Sequence, residues 1–171
     1  MRNKYQKILV VGNGGAGKST LSRGIGSALN LPVVHLDRLW WLNGWEHRTA
    51  EEFDSLLESE LKKSAWVMDG NYRRTFECRL AYADLCIVLD IPSELCMQSV
   101  FDRAKEYEVK ARPDMAEGCT EVVREDFIKW IRSYKKDVLP SMLAILHAKN
   151  VPYLVFTDKE QASRWLLSVS G

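Results

Sequence analysis

The chain has 171 residues, of which 46 % are hydrophobic and 27 % charged, proportions that suit one soluble domain with its own core and leave little room for two. Lys plus Arg number 24 against 23 Asp plus Glu, a formal charge of +1, so no broad basic footprint marks the chain for coating nucleic acid. The four cysteines, Cys78, Cys86, Cys96 and Cys119, form no C-x-x-C pair, and no histidine stands at zinc spacing from them. No apolar run approaches membrane-spanning length and no apolar leader precedes the first strand, so the expected location is cytoplasmic.

Lys7 to Val11 (KILVV) reads as a strand buried on both faces, because its Ile and Val run has no polar alternation. A glycine-rich turn follows, then a helix from Lys18 to about Leu29 with Leu21, Ile25 and Leu29 along one face. Val33 to His35 is a second strand, ending at Asp37, and a tryptophan-rich stretch runs from Leu39 to Trp45. Thr49, with Glu52 three residues on, predicts a capping box and a helix whose buried stripe is Phe53, Leu56, Leu57 and Leu61. Ala65 to Met68 is the third strand, running into Asp69-Gly70. Leu85 to Leu89 is the fourth, running into Asp90, and a helix spans about Ser93 to Tyr107. Cys86 and Cys96 lie in apolar surroundings and read as core thiols.

Lys110 to Glu121 is polar and aperiodic, and Pro113 and Gly118 speak against a helix through it. Helical spacing resumes at Val123, Phe127, Ile131, Tyr134 and Val138, until Pro140 kinks or restarts it. Pro152 to Phe156 is the fifth strand, and Ala162, Trp165, Leu166 and Val169 mark a last helix. Alternating strands and helices predict an α/β chain with a mostly parallel sheet and helices on both faces, one domain over residues 1–171. Right-handed crossovers put the strand C-terminal ends on one edge, where open α/β sheets bind ligands. The glycine-rich turn, Asp37, Asp69 and Asp90 all fall on that edge.

Gly12-Asn13-Gly14-Gly15-Ala16-Gly17-Lys18-Ser19 matches the phosphate-binding pattern G-x-x-x-x-G-K-[ST] in full, with a strand before it and a helix after. The glycines allow a tight loop, successive N–H groups form an anion nest, and the helix N-terminus adds partial positive charge. Lys18 is expected at the β- and γ-phosphates, the Ser19 hydroxyl at magnesium, and Thr20 at the α-phosphate. The cofactor set that follows is ATP with Mg2+. Gly12, Gly14 and Gly17 also satisfy the dinucleotide spacing G-x-G-x-x-G, but that fingerprint has no use for the Lys18-Ser19 pair.

Asp37 is placed to orient an acceptor hydroxyl and take its proton, to hold a magnesium-bound water, or simply to cap a turn. Asp69, closing a core strand beside the loop, has the position of a carboxylate that binds magnesium through water; Asp90 is similar in place but also opens a turn before a helix. His35 reads as structural. Phosphoryl transfer also needs positive charge beyond the loop, and two clusters offer it: Arg73, Arg74 and Arg79, then Arg103, Lys105, Lys110 and Arg112 around the aperiodic segment. That segment, over 104–121, has the length of a lid that closes on ATP and excludes water. Trp40, Trp41 and Trp45 either stack on a flat acceptor or form a satellite core, within an insertion over 38–64 where an acceptor would bind.

Four pieces, GNGGAGKSTLSRGIG (12–26), LPVVHLDRLWWLNGW (31–45), WVMDGNYRRTFECRLAYAD (66–84) and RPDMAEGC (112–119), make the chain resemble the bacterial DNA topology modulation protein family, relatives of adenylate kinase. The resemblance implies the P-loop NTPase fold of the nucleoside monophosphate kinase type, with a five-stranded parallel sheet in the order 2-3-1-4-5 flanked by helices and a short lid. It aligns Asp69-Gly70-Asn71-Tyr72-Arg73 with an Asp-Gly-Phe-Pro-Arg motif, which gives Asp69 a place near magnesium and Arg73 a phosphate contact. Arg103 and Arg112 take the part of lid arginines, and Thr157-Asp158-Lys159 the place where relatives pass the adenine ring. The leading functional expectation is a kinase that moves the γ-phosphoryl group of ATP to a small acceptor such as a nucleotide or nucleoside. Its alternative is a P-loop ATPase or DNA-associated regulator; with no helix-turn-helix, zinc finger or basic tail, direct DNA binding is not expected.

Overall fold

The computed structural model describes residues 4–107, 113–119 and 122–169. Five strands, β1 (Lys7–Gly12), β2 (Val33–His35), β3 (Trp66–Asp69), β4 (Leu85–Leu89) and β5 (Tyr153–Phe156), form one parallel sheet in the order β2-β3-β1-β4-β5. This is the expected sheet, with its boundaries shifted by a residue at β1, β3 and β5. Helices α1 (Lys18–Leu29), α2 (Leu36–Trp40), α3 (Ala50–Leu61), α4 (Phe76–Leu80), α5 (Ser93–Glu106), α6 (Glu125–Asp137), α7 (Leu139–Lys149) and α8 (Lys159–Val169) flank it. Among the described residues no helix is long and apolar enough to cross a membrane.

The unbroken apolar character of the strands has a direct cause. Alternate side chains enter opposite layers, and both layers are covered. Ile8 and Val10 of β1 join Val67, Leu85, Ile87 and Leu89 under α1, α5 and α8, whereas Leu9 and Val11 join Trp66, Met68, Cys86 and Val88 under α3, α4 and α7. Thr49 closes the expected capping box with Glu52, its hydroxyl accepting from the Glu52 N–H at 3.2 Å. Phe53, Leu57 and Leu61 of α3 are buried as expected, but Leu56 is exposed. The Val123–Val138 pattern falls on α6, and the chain restarts as α7 at Leu139, with Pro140 in its first turn, where its missing N–H costs nothing.

Short elements span too little of a helical period to leave a spacing signal in the sequence: α2, α4 and single 3-10 turns at Asn43–Trp45 and Arg73–Thr75. Trp40, Trp41 and Trp45 lie in and beside two of these. Trp40 stacks on His47 with ring centroids 4.8 Å apart, and Trp41 meets Trp45 edge-on at 5.2 Å. They form a satellite cluster of rings on α3, and none of the three lines the cleft described below.

Candidate functional site

β1 delivers Gly12 to the C-terminal edge of the sheet, and α1 starts at Lys18. The intervening turn is packed from behind by α5 and α6. A Cβ added at Gly15 would lie 2.2 Å from the Cys96 carbonyl oxygen, at φ +77, and one at Gly14 would lie 2.6 Å from the Phe127 ring. Only glycine lets these helices approach so closely. Asn13 fixes the turn further: its Oδ1 accepts from the Gly14 N–H at 2.8 Å while its Nδ2 donates to the Ile131 carbonyl of α6 at 2.8 Å. The Lys18 ammonium lies folded over the loop, donating to the carbonyls of Asn13 at 2.9 Å and Gly12 at 3.1 Å. Burial pulls the Lys18 pKa down; the Asp37 and Asp69 carboxylates oppose the shift and the Arg103 charge adds to it. Lys18, Asp37, Asp69 and Arg103 therefore share one electrostatic neighbourhood.

Parallel pairing sets Asp69 beside both Val10 of β1 and His35 of β2. Its two oxygens are divided: Oδ2 pairs with His35 Nδ1 at 2.6 Å and Oδ1 accepts from the Ser19 hydroxyl at 3.4 Å. His35 is buried and holds the carboxylate toward Ser19. Asp37 sits in the first turn of α2 and accepts a 2.7 Å hydrogen bond from the Tyr72 hydroxyl. Burial, then the charge of Asp37, raises the Tyr72 pKa well above the ordinary phenol value, so the hydroxyl keeps its proton and donates.

Tyr72 takes a left-handed backbone conformation (φ 32, ψ 66) that a tyrosine seldom adopts. Arg79 of α4 holds it there. Its fully buried guanidinium donates to the carbonyls of Gly70 at 3.0 Å and Tyr72 at 3.2 Å, and to that of Asn71 between them. Burial brings this guanidinium down to about 10, which leaves it cationic at neutral pH. The clamped turn also presents the Asn71 amide to the Gly12 peptide, accepting from its N–H at 3.1 Å and donating to its carbonyl at 2.8 Å.

These groups line one cleft of roughly 600 Å³ along the sheet edge. The structure brings Gly14, Gly15, Gly17, Lys18, Ser19, Thr20, Asp37, Asp69 and Arg103 to its wall; Gly12, Asn13 and Ala16 form the loop behind. Arg73 is exposed and is not among the lining residues, Arg74 pairs with Asp54 at 2.6 Å on the surface, and Asp90 pairs with Lys135 at 3.1 Å. Lys110 and Arg112 lie outside the described residues. The cleft also contains residues that carried no functional signal in the sequence: Arg23, Ser99, Asp102, Asp114, Phe127 and Trp130. Residues 113–119 reach the tryptophan-rich insertion, where the Cys119 thiol donates to the Leu42 carbonyl at 3.1 Å and Gly118 abuts Asn43.

Among the described residues no three His, Cys, Asp or Glu side chains cluster as a self-sufficient metal site. The Ser19 hydroxyl beside the Asp69 carboxylate is a pair of hard oxygen donors. Such a pair fits Mg2+, which takes one or two protein oxygens and completes its shell with phosphate and water.

No protein-family model matches the chain, and no curated protein does. Its fold does match solved structures. The shikimate kinase from Acinetobacter baumannii in complex with shikimate is similar over 98 % of this chain and 92 % of its own, at TM-score 0.64 and 19 % identity. The shikimate kinase from Bacteroides thetaiotaomicron is similar over 96 % of each chain, at TM-score 0.58 and 15 % identity. The deoxyadenosine kinase from M. mycoides with bound dATP is similar over 94 % of this chain and 97 % of its own, at TM-score 0.55 and 12 % identity. The chain thus has the fold of the P-loop kinases.

Proposed function

We propose that this chain is a magnesium-dependent kinase that moves the γ-phosphoryl group of ATP to a hydroxyl of a small acceptor. One observation carries the reading: the Asp37 carboxylate, held by the Tyr72 hydroxyl, shares a cleft with the phosphate-binding loop. A loop alone serves any nucleotide-binding protein. A carboxylate fixed across from it supplies the second requirement of transfer, a group that orients and deprotonates an acceptor. The fold shared with shikimate and deoxyadenosine kinases supports the same reading.

In this mechanism the N–H groups of Gly15, Gly17, Lys18, Ser19 and Thr20 receive the phosphates, while those of Gly12 and Gly14 brace the loop through Asn71 and Asn13. Lys18 leaves the Gly12 and Asn13 carbonyls for the β- and γ-phosphate oxygens. Ser19 and Asp69 would hold magnesium, with His35 fixing the far oxygen of Asp69. When bound, the ion supplies charge neutralisation on the β- and γ-phosphoryl oxygens. Asp37 aligns the acceptor hydroxyl and takes its proton. The acceptor oxygen bonds to the γ-phosphorus, the bond from that phosphorus to the bridging oxygen breaks, and ADP leaves with the bridging oxygen. Arg103, near Lys18, together with Arg112 adds positive charge to the transferring group. Arg73, exposed outside the cleft, takes no step.

The test is magnesium-dependent ATP consumption against nucleosides, nucleoside monophosphates and hydroxylated metabolites, with products identified by mass and Lys18→Ala as the control. A phosphorylated acceptor absent from the control supports the kinase. ADP formed by hydrolysis alone, and rising with added DNA, would replace it with a DNA-stimulated ATPase.

A further inference from the structure

The tryptophan-rich insertion is left without a task by the cleft, since Trp40, Trp41 and Trp45 do not line it. It does carry α2, the five-residue helix in whose first turn Asp37 sits. A helix this short does not hold itself: it closes very few of its own hydrogen bonds and leaves its last carbonyls without partners. Its start is fixed by the strand before it, where His35 pairs with Asp69 at 2.6 Å. Its exit is fixed by Arg48. The Arg48 Nη1 donates to the Leu39 carbonyl at 2.9 Å and lies 3.4 Å from that of Arg38 and 3.5 Å from that of Trp41. The Arg48 backbone N–H donates to the Trp40 carbonyl at 2.9 Å. One residue thus meets the successive carbonyls of Arg38, Leu39, Trp40 and Trp41.

Arg48 is itself anchored. The chain doubles back through an antiparallel bridge between Trp41 and His47, with the Leu42 N–H donating to the Glu46 carbonyl at 2.8 Å. The next residue, Thr49, caps α3, whose Phe53-Leu57-Leu61 line is buried. Between α2 and α3 lies the Trp40 ring. It stacks on His47 and meets Phe53 edge-on at 5.5 Å and Tyr72 edge-on at 6.2 Å. Tyr72 is one partner of the Asp37 carboxylate, so the backbone of Asp37 and the ring of its partner both rest on this insertion. A shift of about 1 Å in a reacting group can cost on the order of 10²-fold in rate, which makes the exit of α2 a sensitive point. Arg48 does not line the cleft. Resting on the kinase reading, we propose that Arg48 is a positioning residue for Asp37: by closing the exit of α2 it sets where the carboxylate stands relative to the glycine-rich loop, and it touches neither ATP nor acceptor.

Arg48→Met keeps the apolar stem and removes the donors. It is assayed in the full chain with saturating ATP and Mg2+, against nucleosides, nucleoside monophosphates and hydroxylated metabolites. Its kcat should fall ~10-fold or more, while affinity for a non-hydrolysable ATP analogue, read by calorimetry, stays within about twofold. The decisive comparison is the same change in an Asp37→Asn background. There Arg48→Met should lower kcat by no more than about threefold further, because the carboxylate it positions is gone; a general structural role would cost the same in both backgrounds. Arg48→Lys should recover most of the rate, since an ammonium carries three donors and can replace a contact made through one nitrogen. If Arg48→Met does not fold, Arg48→Gln, shorter and uncharged, takes its place in the same cycle with the same expectation. An unchanged kcat, or an equal fall with and without the Asp37 carboxylate, overturns the proposal and leaves the kinase reading standing. Absence of any phosphorylated product from the unsubstituted chain overturns the kinase reading, and the role of Arg48 falls with it.

Discussion

The side-chain amide of Asn71 pairs in both directions with the Gly12 peptide, Oδ1 accepting at 3.1 Å and Nδ2 donating at 2.8 Å. An amide is the one side-chain group that offers a donor and an acceptor side by side in this way. The pairing ties the exit of β3 to the exit of β1, so Asp69 and the glycine-rich loop are held in one frame. Asn71→Ala should cost about 1–3 kcal/mol, the range for stranding a buried peptide group. Asn71→Asp should do worse, because it aims a carboxylate oxygen at the Gly12 carbonyl. Urea melts of both variants, with ATP affinity measured alongside, check the order.

Arg79 performs the corresponding task for the turn that follows. Its guanidinium satisfies the carbonyls of Gly70, Asn71 and Tyr72 from inside the fold. Arg79→Met keeps the bulk and removes every donor, so a loss of about 2–4 kcal/mol is expected from the stranded carbonyls. Arg79→Lys should recover only part of this, since an ammonium cannot reproduce the planar fork. Denaturant midpoints give the stabilities, and a larger rise in acceptor KM than in ATP KM for Arg79→Lys would locate the damage at Tyr72.

Much of the frame around these two residues was legible in advance, for a physical reason. Strands buried on both faces must be continuously apolar, so β1, β3 and β4 announced themselves, and the loop motif needs its glycines where α5 and α6 press against it. Leu56 misled because helical spacing admits both it and Leu57 to the stripe, whereas α3 turns only the Phe53-Leu57-Leu61 line inward. Arg79 and Asn71 gave no local signal. A cation in a polar run reads as surface or phosphate ligand, and its burial depends on a turn formed only in the tertiary fold. Phe127 and Trp130 share a helical stripe with core residues, and periodicity cannot tell that the start of that stripe overhangs a cleft.

The cysteines make a pH-dependent prediction. Burial pushes the Cys86 thiol up to about 12 and the Cys96 thiol up to about 11, from an ordinary value of 9.0, while Cys78 is exposed. The thiolate is the reactive form. At pH 8 iodoacetamide should therefore modify Cys78 rapidly and leave Cys86, Cys96 and the buried Cys119 until the chain unfolds. The linkage has a definite sign. Both folded values lie above the unfolded one, so the unfolded chain loses these protons first. The stability they contribute is complete below pH ~9 and falls as pH rises through the folded values. Unfolding free energies at pH 8 and pH 10 should decrease in that order, and less steeply in Cys86→Ala.

The Tyr72–Asp37 contact separates positioning from proton transfer. In the proposed kinase, where Asp37 is the general base, Asp37→Asn should lower kcat by about 10²–10⁴-fold, the usual worth of such a group. Tyr72→Phe leaves the carboxylate but not its partner, so a loss of roughly tenfold is expected, within the span of one hydrogen bond to a charged group. In the double variant the tyrosine change should cost little beyond Asp37→Asn, because the hydroxyl acts through the carboxylate. Full additivity in single-turnover rates would contradict that coupling.

Gly14 and Gly15 should tolerate substitution differently. At Gly15 the added Cβ meets the Cys96 backbone carbonyl, and the positive φ opposes any side chain, so no neighbouring truncation can make room for Gly15→Ala. At Gly14 the obstruction is mostly one side chain: Phe127 Cζ lies 2.6 Å and Cε2 2.9 Å from the added Cβ, with Ile131 Cγ1 beyond at 3.2 Å. Gly14→Ala alone should force α6 off the loop and cost about 1–3 kcal/mol as overpacking. Phe127→Ala alone opens a void at the cleft wall and costs stability by the opposite route. Combined, each change relieves the other, and a double-mutant cycle in urea should show a favourable coupling of roughly 0.5–3 kcal/mol. Strict additivity would mean that α6 already stands clear of the glycine-rich loop.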